Sequence, residues 1–150
     1  MFYSDLSNYD YFFSDNSGKF KNVSWLEKNK AFTKGNVSFE FTEKLKGLFF
    51  ETNSYLTEAN LMRGPSHCCN LCGKNEIALS LNGETKTLGL CEIWTPSEDG
   101  ELIMISPSMI IHYIEAHDYL PPEVFIDAVM DIDLTSSFNE SDLNLEILLK

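Results

Sequence analysis

Long hydrophobic runs are missing from this 150-residue sequence. No stretch approaches the ~18 consecutive apolar residues that a membrane-spanning helix needs. The opening Met1-Phe2-Tyr3-Ser4-Asp5 also lacks the basic segment and apolar run of a secretory signal. Both absences point to a cytoplasmic protein without a membrane partner. Basic residues are scarce as well, 11 against 23 acids, for a net charge of −12. The imbalance sits late in the chain. Up to Met62 seven lysines face eight acids, whereas from Arg63 onward four basic residues face fifteen acids. Nucleic-acid binding draws its affinity from basic contacts to phosphate, so this charge argues against a nucleic-acid partner. The first reading of an acidic face is solubility, and the sharper one is a face that meets a basic partner protein.

Cysteine is sparse, four residues in all. In a cytoplasmic chain so few cysteines read as thiols or metal ligands rather than disulfides. Apolar residues, by contrast, make up 43% of the sequence and aromatics 13%, with 11 phenylalanines. That content excludes disorder of the whole chain and is enough for the core of one ordinary domain.

The first 22 residues are aromatic and irregular, and Tyr9, Tyr11, Phe12 and Phe13 are expected to wrap over the core. Asp15-Asn16-Ser17-Gly18 and Thr33-Lys34-Gly35-Asn36 read as turns. Phe41, Leu45, Leu48 and Phe49 fall on one helical face, predicting a helix over 38–53 with Ser38 as its N-cap. Segments 77–81, 87–94 and 102–105 read as strands, with Asn82-Gly83 and Asp99-Gly100 as hairpin turns. Ser106-Pro107 pairs an N-cap residue with proline at the first helical position, predicting a helix to 116 or 117. Leu120-Pro121-Pro122 stops it, and Pro122-Glu123 opens another helix through Val124, Phe125, Ala128 and Val129. The expected fold is α+β: a small antiparallel three-stranded meander, one helix before it and two after. Residues 1–130 form a single domain in this reading, and 131–150 an acidic tail, either mobile or docked through Leu143, Ile147 and Leu148. Trp25, Phe41, Leu45, Leu90, Ile111 and Phe125 are the expected core.

Two ligand pairs stand out. Cys69-Asn70-Leu71-Cys72 is a CxxC followed by Gly73, the spacing of a knuckle turn that aims two thiolates at one ion. The turn's amides can donate to the sulfurs, and glycine tolerates the positive φ that follows. Downstream, His112 and His117 stand five residues apart at the end of the predicted helix. On an ideal helix they would point roughly 140° apart, so they converge only if the last turn loosens. Cys69, Cys72, His112 and His117 together predict one structural zinc in a closed site, without a catalytic residue. His67, Cys68 and Glu115 are the alternative ligands or surrounding groups, and Cys91 reads as a small core residue. A redox CxxC is the competing reading, but it belongs before a helix in a βαβ unit, which the sequence does not show.

Several marks occur together: Asp5-Leu6-Ser7 with Tyr9 and Tyr11, Trp25-Leu26, Gly35, Arg63-Gly64, His67, Cys69-x-x-Cys72, Leu88-Gly89 and Glu92-Ile93. The most specific run is Ser106-Pro107, His112-Tyr113, His117-x-Tyr119-x-Pro121-Pro122-x-x-Phe125 and Ala128-Val129. In these residues, from about 4 to 130, the chain resembles an uncharacterised family of small bacterial proteins, a domain of unknown function. It departs from the pattern by the additional Pro65 and by Cys68 beside the expected cysteine. The resemblance implies the fold and the Cys-Cys-His-His metal site and carries no activity.

Three functions compete. The first is a non-enzymatic interaction protein stabilised by zinc, either of the immunity or antitoxin kind with a basic protein partner, or a subunit of a larger assembly. The second is a zinc-dependent hydrolase, with Glu115 between the histidines and Glu92 or Asp118 as base. Neither the H-E-x-x-H motif nor the deaminase pairing of H-x-E with P-C-x-x-C is present. The third is a nucleic-acid-binding zinc-finger regulator, disfavoured because Tyr113, Ile114 and Glu115 stand where basic readers belong.

Overall fold

The structure, a computed structural model, describes residues 3–8, 18–50, 56–57, 69, 71–74, 77–81, 83–88 and 92–132. The clearest periodicity becomes helix α1, Phe39–Phe50. Ser38 caps it, its Oγ accepting from the Phe41 amide at 3.1 Å. Phe41, Leu45, Leu48, Phe49 and Phe50 form the buried face. The helix has no basic residue in its last turn. That place is taken by Lys86, which donates to the Phe49 carbonyl at 3.0 Å and lies 5.4 Å from the ring centroids of Phe49 and Phe50. A cation at a helix C-terminus and over an aromatic face contributes roughly 1 kcal/mol in total. Lys86→Met is therefore expected to lower the melting temperature by roughly 2–4 °C, read by circular dichroism. An unchanged melting point would show that this contact is only a surface one.

Two sheets replace the expected meander. A four-stranded mixed sheet has the order β1 (Phe20–Asn22), β6 (Ile103–Pro107), β5 (Glu92–Pro96), β2 (Leu56–Thr57). Strands β1 and β6 are parallel, while β5 is antiparallel to both β6 and β2. Strands β3 (Ala78–Leu81) and β4 (Glu84–Thr87) form a separate two-stranded hairpin. The run 87–94 is thus not one strand: β4 ends at Thr87 and β5 begins at Glu92. Both predicted hairpin turns hold, with Gly83 at φ +83 and Gly100 at φ +74.

Ser106-Pro107 is a second correction. These residues end β6, pairing with Ile93 and Glu92, and the helix α2, Ile110–His117, starts later. All five residues of β6 are buried, so sheet burial outweighs the local capping chemistry. Proline is tolerated there because it closes the strand. Helix α3, Glu123–Asp131, opens after Pro122 as expected.

Alternation along the strands puts Ile93 and Met104 on one sheet face and Trp94, Ile103, Ile105 and Phe20 on the other. The main core lies on the first face, where Ile93 and Met104 cluster with Phe41, Leu45, Ile111, Phe125 and Cys69. Trp25 is buried and its indole donates to the Ile105 carbonyl at 3.0 Å. The predicted core residue Leu90, the aromatics at 9–13, Cys91 and the tail beyond 132 lie outside the described residues. No helix among the described residues is long and apolar enough to cross a membrane.

Candidate metal centre

The CxxC segment folds as a tight turn. The Gly73 amide donates to the Cys69 carbonyl at 2.7 Å, and the Cys69 amide to the Lys74 carbonyl at 2.9 Å. Gly73 takes φ +76, the left-handed conformation expected of it. Backbone amides of Cys72 and Leu71 donate to the Cys69 sulfur. These are the amide–sulfur bonds expected of a knuckle, and they favour the thiolate. Burial acts in the opposite direction and dominates, pushing the Cys69 thiol up from its ordinary value. A cation brought against this sulfur reverses that balance, because a coordinated thiol is deprotonated. Cys69 is fully buried and part of the core cluster, whereas Cys72 is exposed.

Helix α2 supplies the other pair. Its end is loosened as the spacing requires: Asp118 takes a left-handed φ of 57° and its amide bonds back to the Tyr113 carbonyl, five residues earlier. The Tyr119 amide reaches the same carbonyl at 3.2 Å. This widened last turn brings the His112 and His117 rings to 5.1 Å between centroids. His112 Nε2 then stands 3.5 Å from Cys72 Sγ, and His117 Nε2 stands 3.4 Å from Cys69 Sγ. One ligand atom from each of the four residues lies within 4.8 Å of all the others. Burial, with the neighbouring His117 and Lys74 adding to it, pushes His112 below the usual imidazole value. Its neutral form, the one with a free lone pair for a metal, is favoured.

Cys69, Cys72, His112 and His117 are thus close enough to bind one metal ion. Glu115 does not join them: its carboxylate pairs with Lys46 at 2.8 Å, and Lys46 also lies 3.7 Å from Glu43. Asp118 is exposed at the left-handed helix cap. His67 and Cys68 lie outside the described residues, as does the side chain of Glu92. Lys74, which flanks the site in the sequence, closes the knuckle with its carbonyl, and its charge bears on His112. No curated protein and no solved structure matches the chain. The family model for a domain of unknown function, DUF7919, matches residues 1–130, and the chain belongs to that family.

Proposed function

We propose that this domain is a non-enzymatic, zinc-stabilised interaction protein whose partner is a basic protein. The spacing of the four donors carries the zinc reading. Zinc bonds of ~2.3 Å to sulfur and ~2.0 Å to nitrogen at tetrahedral angles put neighbouring sulfur and nitrogen about 3.5 Å apart. The two thiol–imidazole pairs stand at 3.4 and 3.5 Å. Two sulfurs and two imidazoles are a soft set suited to zinc rather than to magnesium, calcium or manganese. With four protein ligands the shell is closed, and a closed shell belongs to a structural zinc. The engagement of Glu115 by Lys46 supports this over the hydrolase reading, since the acid between the histidines is turned to another task.

The acidic charge supports the partner reading. Glu98, Asp99, Glu123 and Asp127 line one open groove of about 430 Å³, and a surface of this sign speeds encounter with basic proteins. An immunity-like role against a basic toxin is the form we favour. Zinc-edge X-ray absorption on the purified protein tests the site. We expect one zinc per chain with two sulfur and two nitrogen neighbours; an added oxygen neighbour would move the assignment to the hydrolase.

Acid should release the metal. The folded domain holds His112 neutral below its ordinary value of 6.5, so its contribution is fully present above 6.5. It is lost as pH falls through the lowered folded value. Protons then compete for the ligands, and the midpoint of zinc release is expected below pH 6.5. A zinc-sensitive dye follows this directly. Release already complete above 6.5 would show that imidazole protonation does not set it.

A further inference from the structure

The turn that follows His117 is tied down on three sides. His117 reaches into the metal site through its ring. Behind it, the Gly35 amide donates to the Asp118 carbonyl and the Leu120 amide to the Thr33 carbonyl, both at 2.9 Å. Between these contacts Tyr119, fully buried, sends its hydroxyl to Asp5 Oδ2 at 2.8 Å. Asp5 belongs to the short N-terminal segment 3–8, and its other oxygen accepts from the Ser24 amide at 2.9 Å.

Segment 3–8 lies as a strap along residues 21–25. The Leu6 amide donates to the Asn22 carbonyl at 2.6 Å, the Asn22 amide to the Ser7 carbonyl at 2.8 Å, and the Tyr3 amide to the Trp25 carbonyl at 3.1 Å. Tyr3 packs edge-on against Trp25 with centroids 5.8 Å apart. Leu6 itself is exposed and holds a positive φ of 66°, so its side chain does not anchor the strap. Strand β1 is an edge strand, with β6 on one side. The strap covers its other side by way of the Asn8–Lys21 bridge. Edge strands left open invite pairing with foreign chains, and a cover of this kind prevents it.

Resting on the zinc reading above, we propose that metal occupancy latches this N-terminal strap. The ion fixes His117, His117 fixes the left-handed turn at Asp118, and that turn aims Tyr119 at Asp5. One residue of tightly bonded backbone, Asp118, separates His117 from Tyr119. Burial, with the Asp5 carboxylate facing it, pushes the Tyr119 hydroxyl far above its usual value, so it remains a donor throughout the physiological range. Loss of the ion would loosen the turn, release Asp5 and uncover the outer edge of β1.

Coupling between two sites is reciprocal, so a weakened latch must weaken the metal. The test uses the full chain in three forms: wild type, Tyr119→Phe and Asp5→Asn. Tyr119→Phe removes only the hydroxyl, and Asp5→Asn is a second variant at a half-buried position in case the first fails to fold. Zinc affinity is measured by competition with a chromophoric chelator, and amide hydrogen exchange is followed over residues 3–8 and 21–25 in zinc-saturated protein. We expect about 5-fold or greater weakening of zinc affinity in the variants, together with faster exchange confined to the strap. Wild-type protein that binds zinc, with variants that bind it equally well, would overturn the latch while leaving the zinc site standing. Wild-type protein that binds no zinc would remove the underlying reading instead.

Discussion

Cys69→Ser is expected to strip zinc from the domain and to lower its melting temperature by roughly 10 °C or more. Structural zinc contributes about 10–16 kcal/mol in small zinc-finger peptides, which matches or exceeds the whole net stability of a typical domain. Even ~3 kcal/mol of that, at 2–4 °C for each kcal/mol in a chain of this size, gives a shift of roughly 6–12 °C. Cys69 adds a second loss of its own. Its sulfur is fully buried within the core cluster and accepts two backbone amides. Serine would leave a smaller, more polar atom in that position, with three ligands still converging on it. The exposed Cys72 provides the control. Cys72→Ser should also lose the metal, but with a smaller fall in melting temperature, close to that produced by a chelator on wild type. Metal analysis with thermal melts reads all three. A metal-free wild type, with Cys69→Ser melting within a degree or two of it, would leave Cys69 as an ordinary core thiol.

The cluster of Cys69, Cys72, His112 and His117 was legible because its chemistry is local. A CxxC with a trailing glycine forms its turn from its own amides, and the H-x4-H pair lies on one helix end. Even the convergence of the histidines could be stated in advance as a condition. The left-handed Asp118 and the bond to Tyr113 meet that condition. Helices α1 and α3 were legible for the same reason, since the Ser38 cap and apolar period of the first and the Pro122-Glu123 opening of the second are each read within a dozen residues.

What escaped the sequence depends on distant pairing. The short β1 carries no periodicity long enough to announce a strand, and its parallel partner β6 lies some eighty residues on, Phe20 against Ile103. The run 87–94 is apolar enough to read as one strand. The chain nevertheless leaves the hairpin at Leu88, whose amide bonds the Ile77 carbonyl, and joins the larger sheet from Glu92. Ser106-Pro107 shows a local signal losing to tertiary burial. Neither residue caps α2, whose N-cap is Met109 without a side-chain bond. The contact between Asp5 and Tyr119 joins residues 114 apart. Each belongs to a short sequence pattern of its own, and nothing in either neighbourhood says that they meet.

Truncating the aromatic contact between α1 and α3 is expected to cost nearly as much as losing a ligand. Phe41 and Phe125 are both fully buried, with ring centroids 6.3 Å apart and planes at 77°. Phe41→Ala and Phe125→Ala should each lower stability by about 3–5 kcal/mol, because each removes apolar area and leaves a cavity that the sheet cannot close. Edge-to-face rings contribute a further ~0.5–1.5 kcal/mol as a pair. The double variant should therefore lose less than the two single losses added together. Urea unfolding of zinc-saturated protein measures the cycle. Single losses under about 1 kcal/mol would mean that the two helices do not share this core. Strictly additive losses would instead mean that the rings merely fill space independently. Neither phenylalanine is among the four clustered donors, so at saturating zinc both single variants should keep one ion per chain while folded. Cys69→Ser should lack it under the same conditions, and that difference separates a weakened core from a dismantled metal site.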